Sequence, residues 1–137
     1  MQAGKKLTVL LIDDDRIYQF TTKKGMQVSN LSVNIVSYLN GADAFDYIEK
    51  AAKHEADVPG VIFLDINMPV MNGVEFLEAF EGIKNKFSPQ IPIYVVSSSA
   101  DSRDTEMVSA YSTVKGYLIK PVQQQKFVEI LTTIVNL

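Results

Sequence analysis

The stretch Val61-Ile62-Phe63-Leu64-Asp65-Ile66-Asn67-Met68-Pro69 decides the fold of this chain. Its four leading apolar residues run directly into the carboxylate Asp65, and Pro59-Gly60 and Asn72-Gly73 bound it with turn residues. A short, continuous apolar run of this kind is typical of a strand that is buried on both faces. We therefore expect Asp65 at the carboxyl end of a central strand, where open α/β sheets bind their ligands.

Strand-like and helix-like segments alternate along the rest of the chain. The remaining strand candidates are residues 7–12, 33–39, 91–96 and 115–119. Apolar residues at helical spacing predict helices at 16 to about 29, 42–53, 73 to about 81, 101 to about 111, and 121–137. Because parallel strands need crossover connections, this alternation predicts an α/β fold, a doubly wound five-stranded parallel sheet with helices on both faces.

The same patterns predict details of the first and the last helix. In the first helix, Ile17, Phe20 and either Met26 or Val28 have a rough helical spacing, which supports the helix assignment. In the last helix, Pro121 fits the first helical position, where the missing N–H of proline is harmless.

Length and composition limit the function further. A chain of 137 residues suits one domain, 1–137, and the alternation leaves no segment for an output domain. The net charge of -3 argues against nucleic acid as a partner, and the lack of cysteine excludes disulfides and thiolate metal sites. No apolar run approaches the ~20 residues of a membrane span, and no signal peptide is evident. We expect a cytoplasmic protein without membrane or nucleic acid partners.

Polar residues follow four of the five predicted strands. Asp13-Asp14, Asp65, Ser97 and Lys120 each come directly at a strand end, and in a parallel sheet these ends share one edge. Three carboxylates there would repel one another unless a cation were present. The sequence offers the ammonium of Lys120, and the oxygen-only ligand set favours a hard divalent ion, Mg²⁺ above all.

Each of these features also has a simpler interpretation. An acidic run before a helix often caps the helix, Asp65 alone suits a turn, the serines suit a loop with local hydrogen bonds, and Lys120 alone suits the surface. Independent causes of that kind would not place all of them at strand ends. Their coincidence at one edge favours a functional site.

At this point the chain resembles the receiver domain of response regulators in two-component signalling, from about Leu7 to Val135. The resemblance lies in four motifs in order, Leu11-Ile12-Asp13-Asp14-Asp15, Leu64-Asp65-Ile66-Asn67-Met68-Pro69 with Asn72-Gly73, Val95-Val96-Ser97-Ser98, and Gly116-Tyr117-Leu118-Ile119-Lys120-Pro121. It implies a flavodoxin-like (βα)5 sheet with strand order 2-1-3-4-5 and a stand-alone, single-domain receiver.

The resemblance also implies a magnesium-dependent phosphoacceptor site. Asp65 matches the phosphoacceptor and a metal ligand. Asp14 matches a direct ligand of Mg²⁺, Asp13 a ligand acting through water, and the backbone carbonyl of Asn67 the third protein ligand. Lys120 matches the lysine that follows the phosphoryl oxygens, and its bond to the next proline is expected to be cis.

Two further positions match the switch of the family. Ser97 matches the switch hydroxyl, with serine in place of the commoner threonine, and Tyr117 matches the aromatic switch. The resemblance implies a histidine kinase or a histidine phosphotransfer protein as phosphodonor. It also implies a downstream protein target, which the sequence does not identify.

Three other functions fit these residues less well. An aspartyl-phosphate hydrolase of the haloacid dehalogenase class would need a second aspartate where Asn67 stands. A flavodoxin-like cofactor binder would need a Gly/Ser/Thr-rich loop after the first strand, where this chain has three acids. A receiver-like scaffold that is never phosphorylated is disfavoured by the complete acidic set.

Overall fold

A five-stranded parallel sheet in the order β2-β1-β3-β4-β5 runs through the computed structural model, which describes residues 6–27, 31–54, 57–68, 70–98 and 101–136. The strands are β1 (Leu7–Ile12), β2 (Val33–Tyr38), β3 (Val61–Asp65), β4 (Ile93–Ser97) and β5 (Val114–Ile119). The order agrees with the predicted doubly wound arrangement. It places β3, the strand that ends in Asp65, at the centre of the sheet.

A helix follows every strand in the described part of the chain. The helices are α1 (Arg16–Gln27), α2 (Gly41–Ala51), α3 (Gly73–Glu81), α4 (Ser102–Ser109) and α5 (Gln124–Val135), with a 3-10 turn at Lys84–Lys86. Among the described residues, none of these helices combines the length and apolar character that crossing a bilayer requires.

The two faces of the sheet pack into two separate cores. Leu10 and Ile12 belong to one core with residues of α2 and α3, whereas Val9 and Leu11 belong to the other with Met26 of α1 and residues of α5. Successive side chains of a strand point to opposite faces, so a strand covered on both sides must be apolar throughout. All five residues of β3 are buried for this reason, as the sequence predicted.

The apolar residues of α1 do not mark its buried face. Ile17 and Phe20 are 78% and 61% exposed, and the buried residues of the helix are Gln19, Thr22 and Met26. These three have the spacing of one helix face, but two of them are polar, so apolar periodicity did not mark the face. Val28, the alternative to Met26 in the helical spacing, lies outside the described residues.

The predicted start of the last helix is also wrong. The helix begins at Gln124, and Gln123 before it has an extended backbone with φ of -68° and ψ of 144°. Pro121 therefore lies in the connection from β5 and not at the first helical position. The Lys120-Pro121 bond is cis, as expected from the resemblance. Pro69, which follows Met68 after β3, lies outside the described residues.

Candidate functional site

Strand register brings the predicted site residues to one edge of the sheet. Asp65 pairs with Val96 across β3 and β4, so Ser97 stands one position beyond it. Ser97 in turn pairs with Ile119 of β5, and the N–H of Lys120 donates to the Ser97 carbonyl at 2.8 Å. On the other side of β3, Asp13 directly follows β1. The common edge predicted from the sequence is confirmed.

Three carboxylates converge at this edge. Asp13, Asp14 and Asp65 each offer one oxygen, and the three oxygens all lie within 4.8 Å of one another. Asp13 and Asp65 are buried, whereas Asp14 is exposed. Carboxylate oxygens at such separations, with one of them open to solvent, suit a hard divalent ion that retains some of its water. The residues present therefore fit Mg²⁺.

Lys120 supplies a positive charge to this cluster. Its Nζ donates to Asp13 Oδ2 at 2.7 Å and lies 3.9 Å from Asp65 Oδ2, with the lysine side chain 20% exposed. The second distance is beyond hydrogen-bonding range. The ammonium therefore binds Asp13 and only neighbours Asp65, a preference that the sequence did not reveal.

The pKa of the Asp65 carboxyl is raised in the folded protein. Burial raises the pKa of the Asp65 carboxyl from 3.8 to about 6, with the negative charge of Asp13 adding to the rise and Lys120 opposing it. The hydrogen bond from the Asn67 N–H, at 3.4 Å, is long and also opposes the rise. The carboxylate is thus poorly compensated in the protein alone, which favours the arrival of a cation.

The connection from β3 to α3 is held close to the site. Asn72 caps α3 by accepting from the Glu75 N–H at 2.9 Å, and the Glu75 carboxylate accepts from the Asn72 N–H at 3.0 Å. The Gly73 N–H donates to the Ile66 carbonyl at 2.8 Å. A Cβ at Gly73 would lie 2.7 Å from the Asp65 carbonyl oxygen, so only glycine allows this approach.

The two predicted switch residues lie on neighbouring strands. Ser97 at the end of β4 is fully buried. Tyr117 in β5 is half-buried and packs against the core that includes Leu10 and Ile12. Their roles as a switch pair, and the role of the Asn67 carbonyl as a metal ligand, stay predictions.

Sequence reasoning missed two residues of α1 that build the site. The Gln19 carboxamide is buried, and its Nε2 donates to the carbonyls of Asp13 at 2.9 Å and Tyr38 at 2.7 Å. It thereby joins the ends of β1 and β2. Tyr18 lies beside Lys120, whose Nζ is 4.4 Å from the centre of the ring. A pattern of apolar residues could not have found Gln19, because its buried group is a carboxamide.

Comparison with known proteins gives one consistent family. A family model described as the response regulator receiver domain matches residues 9–132. The chain is 32% identical over 114 residues to the autoinducer 1 sensor kinase/phosphatase LuxN of Vibrio campbellii, covering 83% of this chain and 12% of LuxN. It is 30% identical over 113 residues to the transcriptional regulatory protein PrrA of Mycobacterium tuberculosis, covering 82% of this chain and 43% of PrrA.

A solved structure matches over almost the whole length of both chains. It is the crystal structure of a two component response regulator from Cytophaga hutchinsonii, with a TM-score of 0.81 and 30% identity, covering 97% of this chain and 99% of that one. The chain spans less than half of the length of the curated relatives LuxN and PrrA.

Proposed function

Since this chain belongs to the response regulator receiver domain family of two-component signalling, we propose that it is a phosphoacceptor whose modification switches a docking surface. Asp65 accepts the phosphoryl group in a Mg²⁺-dependent reaction. The observation that carries the proposal is the convergence of Asp13, Asp14 and Asp65, three carboxylates with oxygens within 4.8 Å, around the ammonium of Lys120.

The acidic cluster is the proposed magnesium site. Asp14 and Asp65 would hold the ion directly, Asp13 through water, and the Asn67 backbone carbonyl would complete the protein ligands. When bound, Mg²⁺ supplies positive charge that offsets the repulsion between the Asp65 carboxylate and the phosphoryl oxygens. The exposure of Asp14 supports this proposal, because it leaves room for water and a phosphoryl oxygen.

The transfer itself is a substitution at phosphorus. An oxygen of the Asp65 carboxylate forms a bond to phosphorus, and the P–N bond to the donor imidazole breaks. The nitrogen keeps the electron pair of that bond. Lys120 is a point charge on a flexible stem, already 3.9 Å from Asp65, and it stabilises the negative charge of the transferred group.

The phosphoryl group then changes the neighbouring strands. Ser97 is one position beyond the residue that pairs with Asp65, so its hydroxyl is suited to donate to a phosphoryl oxygen. That bond draws the β4–α4 connection towards Asp65, and Tyr117 follows into the space it leaves. A local charge is converted in this way into a changed surface around α4, β5 and α5.

The proposed partners follow from this chemistry. A histidine kinase or a histidine phosphotransfer protein donates the phosphoryl group, and a downstream protein reads the switched surface. The chain is a signalling receiver that catalyses only its own phosphorylation and slow autodephosphorylation. The absence of an attached output domain and the cytoplasmic location stay predictions.

Intact mass measurement after incubation with acetyl phosphate and Mg²⁺ tests this function. We expect one phosphoryl adduct on the wild-type protein, and no adduct when Mg²⁺ is removed by a chelator. Asp65→Asn should give no adduct. Asp46→Asn is the matched control, because Asp46 is 62% exposed on α2 and pairs with Lys50 at 3.0 Å, away from the acidic cluster. It should be labelled like the wild type.

The alternatives give different results in the same experiment. A protein that is never phosphorylated stays unlabelled under all conditions, which would support a scaffold and contradict the proposal. An aspartyl-phosphate hydrolase would release phosphate from a phosphomonoester continuously. An adduct that persists on Asp65→Asn would place the phosphoacceptor elsewhere.

A further inference from the structure

The ring of Tyr18 on α1 lies directly beside the Lys120 ammonium. The ammonium of Lys120 is 4.4 Å from the centre of the Tyr18 ring, inside the ~6 Å over which a cation and an aromatic face attract each other. The same ammonium lies 2.7 Å from Asp13 Oδ2 and 3.9 Å from Asp65 Oδ2. One positive charge therefore faces two carboxylates and one ring.

The Tyr18 ring packs against the interior of the protein. It is half-buried and packs against the core that contains Phe63 and Phe127. Its backbone N–H donates to Asp15 Oδ1 at 3.0 Å in the first turn of α1. A cavity of about 10 Å³, with room for at most one water, is lined by Tyr18 together with Asp13, Asp65 and other residues of β1, α1, β3 and β4. The ring therefore lies between the interior of the protein and the acidic cluster.

The hydroxyl of Tyr18 does not explain this placement. The oxygen is buried and makes no hydrogen bond to any residue in the described part of the chain. Burial raises the pKa of the Tyr18 hydroxyl to about 12. The Thr22 hydroxyl, one helical turn away, opposes this rise but does not meet hydrogen-bonding geometry. The contact between Tyr18 and the site is therefore made by the ring face and not by the hydroxyl.

We propose that Tyr18 is a positioning residue for phosphoryl transfer, an inference that rests on the proposed function. Its ring face keeps the Lys120 ammonium at the site while the ammonium changes partner from Asp13 to the phosphoryl group on Asp65. A hydrogen bond fixes the direction of the ammonium, whereas attraction to a ring face tolerates sideways movement. Without the ring, a strongly hydrated and flexible lysine head is drawn towards solvent.

Two substitutions separate the ring from the hydroxyl. Tyr18→Leu retains an apolar side chain but removes the ring face, and Tyr18→Phe retains the face. We expect Tyr18→Leu to slow phosphorylation by acetyl phosphate at saturating Mg²⁺ by about five- to thirty-fold. A cation–π contact of about 1–2 kcal/mol converts to that range at ~1.4 kcal/mol per factor of ten. Tyr18→Phe should restore the rate to within about two-fold of wild type.

A double-mutant comparison tests whether the effect passes through Lys120. In a Lys120→Met background the rate is already low, and adding Tyr18→Leu should lower it by less than about two-fold. Tyr94→Leu removes a half-buried tyrosine ring from the middle of β4 and controls for lost packing. It should leave the phosphorylation rate unchanged even where it lowers stability.

A spectroscopic measurement keeps the proposal open to refutation if Tyr18→Leu does not fold. In NMR spectra of the wild type and of Tyr18→Phe, the ε-methylene protons of Lys120 should be shifted upfield by the ring current. Ordinary lysine shifts in both proteins would overturn the inference. So would an equal loss of rate in Tyr18→Leu with and without Lys120, or a Tyr18→Phe rate as low as that of Tyr18→Leu.

These outcomes are distinct from failure of the proposed function. If the wild-type protein takes no phosphoryl group, the proposed function fails and the positioning role fails with it. If the wild type and Tyr18→Leu are labelled at the same rate, only the role of Tyr18 is refuted.

Discussion

Replacement of the proposed phosphoacceptor should make the protein more stable. Asp65 is ionised at neutral pH although its side chain is only 7% exposed, and burial together with Asp13 raises the pKa of its carboxyl from 3.8 to about 6. A shift of about two pH units corresponds to about 3 kcal/mol of lost stability at neutral pH. Asparagine has the same shape without the charge and still accepts from the Asn67 N–H. We expect Asp65→Asn to raise the free energy of unfolding by about 2–3 kcal/mol at pH 7 without Mg²⁺.

The pH dependence gives this prediction its sign. Because the folded pKa of Asp65 is raised, the folded state binds the proton more tightly than the unfolded state does. The wild-type protein therefore keeps this contribution to stability below pH 3.8 and loses it as the pH rises to about 6. The advantage of Asp65→Asn should shrink to about 1 kcal/mol at pH 4.5 and vanish below the unfolded pKa.

Urea unfolding followed by circular dichroism measures the difference, since the chain has no tryptophan to report it by fluorescence. The exposed Asp46→Asn variant is the control and should change the free energy of unfolding by less than about 0.5 kcal/mol. Added Mg²⁺ should stabilise the wild type and not Asp65→Asn. Equal or lower stability of Asp65→Asn at pH 7, or an advantage that is independent of pH, would refute the reasoning.

Three further predictions concern α1 and the connection from β3 to α3, and each is measured by the same urea unfolding. Gln19→Met should lower the free energy of unfolding by about 2 kcal/mol, because the Asp13 carbonyl loses the Gln19 donor while the Tyr38 carbonyl retains the Asp13 N–H at 3.1 Å; an unchanged value would mean that the Gln19 hydrogen bonds do not hold α1 to the sheet. Val70→Gly should raise it by about 1 kcal/mol, because Val70 has a φ of 70°, which is costly for a β-branched residue; a decrease would contradict that strain. Gly73→Ala should lower it by about 2 kcal/mol, since the added methyl meets the Asp65 carbonyl oxygen at 2.7 Å. Gly82→Ala, whose methyl has a neighbour at 3.4 Å, should change it by less than about 1 kcal/mol, and equal effects at the two glycines would rule out the steric explanation.

The sequence was sufficient for the architecture and for the polar residues that share one edge of the sheet. Apolar runs and helical spacings are local properties of the chain, and their alternation implies a parallel sheet whose strand ends share one edge. Asp13, Asp65, Ser97 and Lys120 could be assigned to that edge before any coordinates were known. Helix faces were less predictable, because α1 packs through Gln19 and Thr22, whose polarity hides them from a pattern of apolar residues.

Only the tertiary structure decided how the charges at that edge are shared. The Lys120 ammonium binds Asp13 at 2.7 Å and stands 3.9 Å from Asp65, which leaves Asp65 with a raised pKa. The ring of Tyr18 reaches the same ammonium from a helix about a hundred residues away along the chain. Coulombic and cation–π energies change with differences of an ångström or so, and such distances are set by packing between segments that are remote in sequence.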